Sequence, residues 1–257
     1  MKYIGITGHR GSGKTSVAYL LGNILNMLKK KKSKEDIYEN YKCWCELIKH
    51  NNNIIYDCDL DYIYFDEFGE LPKSFTAQLL SVDIDLLDSD FMKDNMYVNM
   101  KDFKLHTYDK SYNIMTHKEL LTNAPNIKKW KDVYVSLRDF ITYFSIDIMQ
   151  TYFGNNVWLK TRKANDEKFG GTNEKGWKIF SDVKTAEEIK YIKDNDGIII
   201  RALRPTNRKN NNGISNIEDY DSDIIIITEG ELINLFEQFF KMANKIYNNE
   251  KGVNNTI

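Results

Sequence analysis

The chain has 257 residues and a formal net charge of −1, long enough to bury the core of one α/β domain with insertions. Near-neutral balance excludes a general electrostatic attraction to nucleic acid or an anionic membrane. Three cysteines, Cys43, Cys45 and Cys58, are an odd number without a C-x-x-C pair, which argues for reduced thiols and against a disulfide framework or zinc site. Tyr3-Ile4-Gly5-Ile6-Thr7 is a short apolar run, expected as a buried strand. Gly8 to Thr15 then reads GHRGSGKT, a complete G-x-x-x-x-G-K-[ST] pattern. Val17, Leu20, Leu21, Ile24, Leu25 and Leu28 follow at helical spacing.

A loop set between strand and helix is the context that phosphate binding needs. Gly8, Gly11 and Gly13 let the chain turn tightly and bring its N–H groups, including those of Ser12 and Ser16, up to the phosphates of ATP. Lys14 is expected on the β- and γ-phosphates, and the Thr15 hydroxyl on Mg²⁺. The basic run Lys29 to Lys32 reads as a solvated helix end, where cations suit the dipole.

The remaining elements alternate. Asp36 to Lys49 predicts a second helix, Ile54–Tyr56 and Tyr62–Phe65 strands, and Leu71 to Leu80 a helix. Residues 92–130 are polar and read as an irregular excursion, too long for a plain connection. Leu137 to Phe153 predicts a strong helix, Trp177–Phe180 a strand ending at Ser181-Asp182, and Thr185–Lys193 a helix. Gly197–Leu203 and Asp223–Thr228 are apolar strands, and Glu231 to about Tyr247 is the last helix. Asn-rich stretches at residues 51–53, 210–212 and from Asn248 read as loops or frayed ends. The pattern predicts a parallel sheet covered by helices on both faces. Ligands of such sheets bind beyond the carboxyl ends of the strands, which directs attention to Gly8–Thr15, Asp182–Lys184 and Arg204-Pro205. No signal peptide is read before the first strand and no apolar stretch approaches membrane-spanning length, so a soluble, cytoplasmic protein is expected.

The loop alone leaves the reaction open. No guanine-reading N-K-x-D is present, and Asp66-Glu67 is the nearest imitation of a motor-type Asp-Glu pair. Other stretches carry a resemblance to the phage-type deoxynucleoside monophosphate kinases over most of the chain. Phe68-Gly69-Glu70-Leu71-Pro72-Lys73 resembles the family's F-A-D-P-L-K, and Asp90-Phe91-Met92-Lys93 its D-x-F-K. SLRDFITYFSID (136–147) with the downstream FGNNVWLK is similar to T-x-R-x-x-L-Q-x-x-G-T-E and G-D-x-V-W. FSDVKTAEEI resembles D-V-R-F-x-N-E, and Ala202-Leu203-Arg204-Pro205 the strand ending in R-P.

The resemblance implies a three-layer P-loop kinase fold over residues 1–247, with substrate-binding and lid insertions at about 57–165; the Asn-rich residues 248–257 are expected as a flexible tail. It implies transfer of the ATP γ-phosphate to a deoxynucleoside monophosphate with Mg²⁺, giving dNDP and ADP, and makes a homodimer plausible. If the source is viral, the compartment is the host cytoplasm. Arg138 would clamp a phosphate with its planar fork, Lys73 would be a second phosphate contact, and Glu70 and Asp147 would lie on the acceptor side. Asp182 would serve the metal site, a helix N-cap being the competing reading. Arg204 would lie against adenine. Lys160, Arg162 and Lys163 would come from a lid, and Trp158 reads as core. Departures from the family are Lys184 for its arginine, Thr142 for its glutamine and Ser145-Ile146 for its G-T; a point charge replaces a fork at Lys184. Two alternatives remain: a degenerate nucleotide-binding regulatory protein without turnover, and a nucleic-acid-stimulated ATPase.

Overall fold

The computed structural model describes residues 1–9, 11–50, 60–123, 133–169, 176–205 and 222–250. Cys58, the strand expected at Ile54–Tyr56 and the Asn-rich loops at 51–53 and 210–212 lie outside them. The chain divides into two units, Met1–Phe68 with Gly171–Ile257, and Gly69–Gly170.

The first unit is α/β. Strand β1 (Lys2–Thr7) leads into α1 (Lys14–Lys29) and α2 (Lys34–His50), then β2 (Ile63–Asp66). After the second unit come β7 (Trp177–Phe180), α10 (Ala186–Asp194), β8 (Ile198–Leu203), β9 (Ile224–Ile227) and α11 (Leu232–Glu250). Among the described residues these strands form a five-stranded sheet, order β2-β7-β1-β8-β9, parallel at every pairing. Alternate residues face opposite layers. Ile4, Ile6, Trp177, Ile179, Ile200 and Ala202 are buried against α1, α2 and α11. On the other face, α10 brings Ile192 against Gly5, where a Cβ would collide with the Ile192 Cδ1. Each fully buried Ile or Leu contributes about 1.5–3 kcal/mol of apolar transfer, and this core fixes the register that aligns the strand ends. The sheet is therefore flanked by helices on both faces, the expected α/β class. α1 stops at Lys30, and Lys32 N–H returns to Met27 O (3.1 Å). Within that basic run, Lys29 lies 5.3 Å over the Trp177 ring and Lys30 pairs with Asp61 at 2.7 Å.

The second unit opens with α3 (Glu70–Leu80), α4 (Ile84–Asp88) and α5 (Asp90–Asn95). Of residues 92–130, expected as an irregular excursion, the described part (92–123) departs from that expectation. It includes β3 (Met96–Asn99), β4 (Leu105–Thr107), β5 (Asn113–Met115) and α6 (His117–Asn123). With β6 (Val133–Ser136), these strands form, among the described residues, a four-stranded sheet, order β4-β3-β6-β5. Val98, Val133 and Val135 on one sheet face bury with Leu137 and Phe140. The long helix expected from Leu137 to Phe153 is interrupted. α7 (Leu137–Thr142) and α8 (Met149–Phe153) flank a π-helical turn at Tyr143–Ile148. Hydroxyls of Thr142 and Ser145 bond back to Arg138 O (3.0 Å) and Ile141 O (2.5 Å), the i−4 pattern that bends helices. α9 (Val157–Phe169) carries the lysines and arginine after Trp158 on a regular helix. Among the described residues, no helix is long and apolar enough to cross a membrane.

Candidate functional site

Because the sheet of the first unit is parallel, the residues just past Thr7, Asp66, Phe180, Leu203 and Ile227 share one edge. Gly8 follows β1 with φ +147°, and a Cβ there would lie 2.5 Å from Ala202 O of β8. Only glycine lets the loop pass so close to the neighbouring strand. Gly11 (φ +77°) and Gly13 (φ +83°) make the next two turns, with Ser12 N–H on His9 O at 3.1 Å. Gly13 caps α1 in a left-handed conformation, without a side-chain hydrogen bond, and the first helical turn holds no acid. Val17 N–H bonds to Gly13 O (2.8 Å); amides ahead of it in the helix have no intrahelical acceptor. This helix end therefore presents N–H groups and a positive dipole that no carboxylate of its own first turn offsets.

Lys14 curls over the loop, its Nζ 2.9 Å from both Gly8 O and His9 O. Burial, then the Lys184 ammonium, push its pKa down from 10.5 to about 8, against the opposing pull of Asp182. Lys14, Asp182 and Lys184 thus form one electrostatic group. Asp182 is buried two residues past β7, and its Oδ1 accepts from Phe68 N–H at 2.7 Å. Its Oδ2 lies 3.6 Å from the exposed Lys184 ammonium. The N-cap of α10 is Thr185, not Asp182. The capping-box acid Glu188 accepts from Lys184 N–H (2.6 Å) and Thr185 N–H (2.9 Å), holding the Asp182–Lys184 turn. Burial raises Glu188 to about 7, with Asp182 adding to the rise and those N–H bonds opposing it. Beside Asp182, Ser181 donates to Glu67 Oε1 (3.0 Å).

Thr15 is exposed and Ser16 half-buried at the start of α1. Arg204 is exposed past β8, with Nη2 3.8 Å from where a Gly13 Cβ would stand. The fold therefore gathers the loop, Lys14, Asp182, Lys184 and Arg204 at one sheet edge. Thr228 joins them: its hydroxyl lies 2.8 Å from Ser12 O. Sequence reading passes over Thr228, although a hydroxyl residue just past an apolar strand satisfies the carboxyl-end rule. Thr15 and Asp182 supply hard oxygen donors of the kind Mg²⁺ prefers. Among the described residues, no three His, Cys, Asp or Glu cluster as a metal site.

In the second unit each expected acceptor-side residue has an intramolecular partner. Arg138 Nε bonds to Asp94 Oδ1 (2.5 Å) and Nη2 to Asp90 Oδ1 (3.0 Å). Burial pushes Asp90 up, but hydrogen bonds from Arg138 and Lys93 outweigh it and hold the carboxyl down at about 2. Lys73 pairs with Asp88 (2.5 Å), Glu70 with Arg162 (3.3 Å), and Asp147 with His117 (2.6 Å). Trp158 is half-buried, its indole N–H on Ser145 O at 2.7 Å. It lies 6.4 Å from Phe75, which is 44% exposed and stacked on Phe144 (5.3 Å, 12°).

No protein-family model matches the chain, and no curated protein shows a significant match to it.

Proposed function

We propose that the protein is a deoxynucleoside monophosphate kinase, transferring the γ-phosphate of ATP to a dNMP. The observation that carries this reading is the Gly8–Thr15 loop: glycines at positive φ, a helix start without a side-chain cap, and Lys14 folded onto the loop at the carboxyl edge of a parallel sheet. The three-layer P-loop kinase fold belongs to the same proposal, and the five-stranded parallel sheet with helices on both faces is compatible with it.

In this reading Lys14 exchanges its two loop carbonyls for phosphate oxygens. Lys184 adds a second cation, and Arg204 lies against the adenine. Thr15 and Asp182 would hold Mg²⁺, which supplies charge neutralisation on the phosphate chain when bound. In the second unit, Arg138 and Lys73 bind the acceptor phosphate, with Glu70 and Asp147 toward sugar or base. An acceptor phosphate is already a nucleophile, so catalysis is positioning and electrostatic stabilisation and needs no strong base.

A second reading, a nucleotide-binding module without turnover, is favoured by one specific observation. The Arg138 guanidinium is already occupied by Asp90 and Asp94, and Lys73 by Asp88. ATP consumption measured alone, with dNMPs and with DNA separates the readings. Stimulation by dNMPs supports the kinase, stimulation by DNA supports an ATPase, and tight ATP binding without consumption supports the module.

The lowered Lys14 pKa gives a further expected outcome. In the free protein a sizeable share of Lys14 is neutral above pH 8, whereas a polyphosphate favours the ammonium. Binding then takes up protons, and affinity falls as pH rises through about 8, by at most about tenfold per pH unit. Calorimetry at about pH 8.5 in buffers of different ionisation enthalpy is expected to show uptake of up to about one proton per ATP, lost in Lys14→Ala.

A further inference from the structure

Thr228 touches the loop from the far side of the sheet edge. Its N–H donates to Leu203 O (2.8 Å), which anchors it to β8. Its hydroxyl lies 2.8 Å from Ser12 O and 3.1 Å from Leu203 O. A hydroxyl has one proton; Leu203 O already receives the Thr228 N–H, and Ser12 O is the nearer acceptor. The Thr228 side chain also packs on the loop, its Cβ and Cγ2 each 3.8 Å from where a Gly13 Cβ would stand.

The consequence runs through one peptide plane. In a trans peptide the carbonyl and the following N–H point in opposite directions. Holding Ser12 O therefore aims Gly13 N–H away from Thr228. Gly13 is the residue at which a flip of this plane is inexpensive, because glycine accepts φ of either sign, and it stands at φ +83°. Flipped, the plane would present the Ser12 carbonyl where the N–H had been, an acceptor facing an anion.

We infer that Thr228 is a positioning residue that holds the 12–13 peptide in its anion-binding orientation. This rests on the phosphate-binding reading of the loop, and deepens it by naming a group that prepares the loop before any nucleotide arrives. Removing the hydroxyl lets the peptide sample both orientations, so binding of a bare phosphate chain weakens.

The test is calorimetric titration of the full chain with inorganic tripolyphosphate, which has neither base nor sugar. Thr228→Val keeps the shape and removes the hydroxyl; Thr228→Ser keeps the hydroxyl and removes the methyl. Thr228→Val is expected to bind about five- to tenfold more weakly than wild type, the loss of one hydrogen bond. Thr228→Ser is expected to stay within about twofold. Equal binding by Thr228→Val and wild type overturns the inference, as does equal weakening in Thr228→Ser, which would assign the effect to packing. Thr228→Ala provides a second hydroxyl-free variant if Thr228→Val does not fold. Unfolding of both, with Thr228→Ser intact, also overturns it, since the hydroxyl would then serve the fold. A wild type that ignores tripolyphosphate overturns the phosphate-binding reading itself, an outcome distinct from the others.

Discussion

Lys14→Ala is expected to lose dNMP kinase activity by at least about 10²–10³-fold, the effect of removing a group that stabilises charge in a transition state. The folded protein is expected to survive unchanged. The ammonium is part-buried on two carbonyls, and its pKa is lowered to about 8. A lowered lysine pKa means that the fold disfavours the charge, so its removal relieves a cost instead of opening a core cavity. Initial rates with ATP·Mg and a dNMP, together with melting temperature, check both halves. Substantial activity in a well-folded Lys14→Ala protein would remove the loop from the chemistry.

Arg138→Ala is expected to lower kcat with dNMP by about 10²–10³, corresponding to about 2–4 kcal/mol of transition-state stabilisation, while ATP affinity stays near wild type. Arg138→Lys should recover part of the loss, since an ammonium cannot present two parallel donors. The ion pairs of Arg138 with Asp90 and Asp94 are half-exposed, and such pairs contribute about 1 kcal/mol or less. Their loss alone does not unfold the second unit. With Arg138 gone, the Asp90 carboxyl is relieved of its main downward pull and rises from about 2 toward the ordinary carboxylate range. Normal turnover by Arg138→Ala with every accepted dNMP would confine the guanidinium to its two carboxylates and favour the non-catalytic module.

The first unit is largely legible in the sequence because its strands are covered on both faces and read as unbroken apolar runs. Trp177–Phe180 is found residue for residue, and Ile198–Leu203 within one residue. The loop is legible for a different reason: each glycine answers a backbone demand, such as the 2.5 Å approach of Gly8 to Ala202 O. The sheet of the second unit is not legible. Its strands are three or four residues long, too short to establish a period of two against Lys, Asp and Asn neighbours. The π-helical turn at Tyr143–Ile148 escapes as well, because a single widened turn leaves the 3.6-residue pattern of Leu137 to Phe153 nearly intact.

The site divides in the same way. The placement of Lys14, Asp182, Lys184 and Arg204 at one sheet edge is legible because each lies just past a strand or in the loop. The Thr228 contact is hidden because it joins residues 216 apart in the chain, and no local pattern records such a pairing. The partners of Arg138 are hidden likewise. Asp90 and Asp94 lie 48 and 44 residues before Arg138, and only the fold brings them onto the guanidinium.

The measurement that tests the central claim most directly is chromatographic resolution of nucleotides after wild-type protein is incubated with ATP·Mg and each dNMP and NMP in turn. The kinase reading predicts ADP and a deoxynucleoside diphosphate in equal amounts with at least one dNMP, and neither product with Lys14→Ala. ADP without any diphosphate of the acceptor, or bound ATP that no acceptor converts, would contradict it.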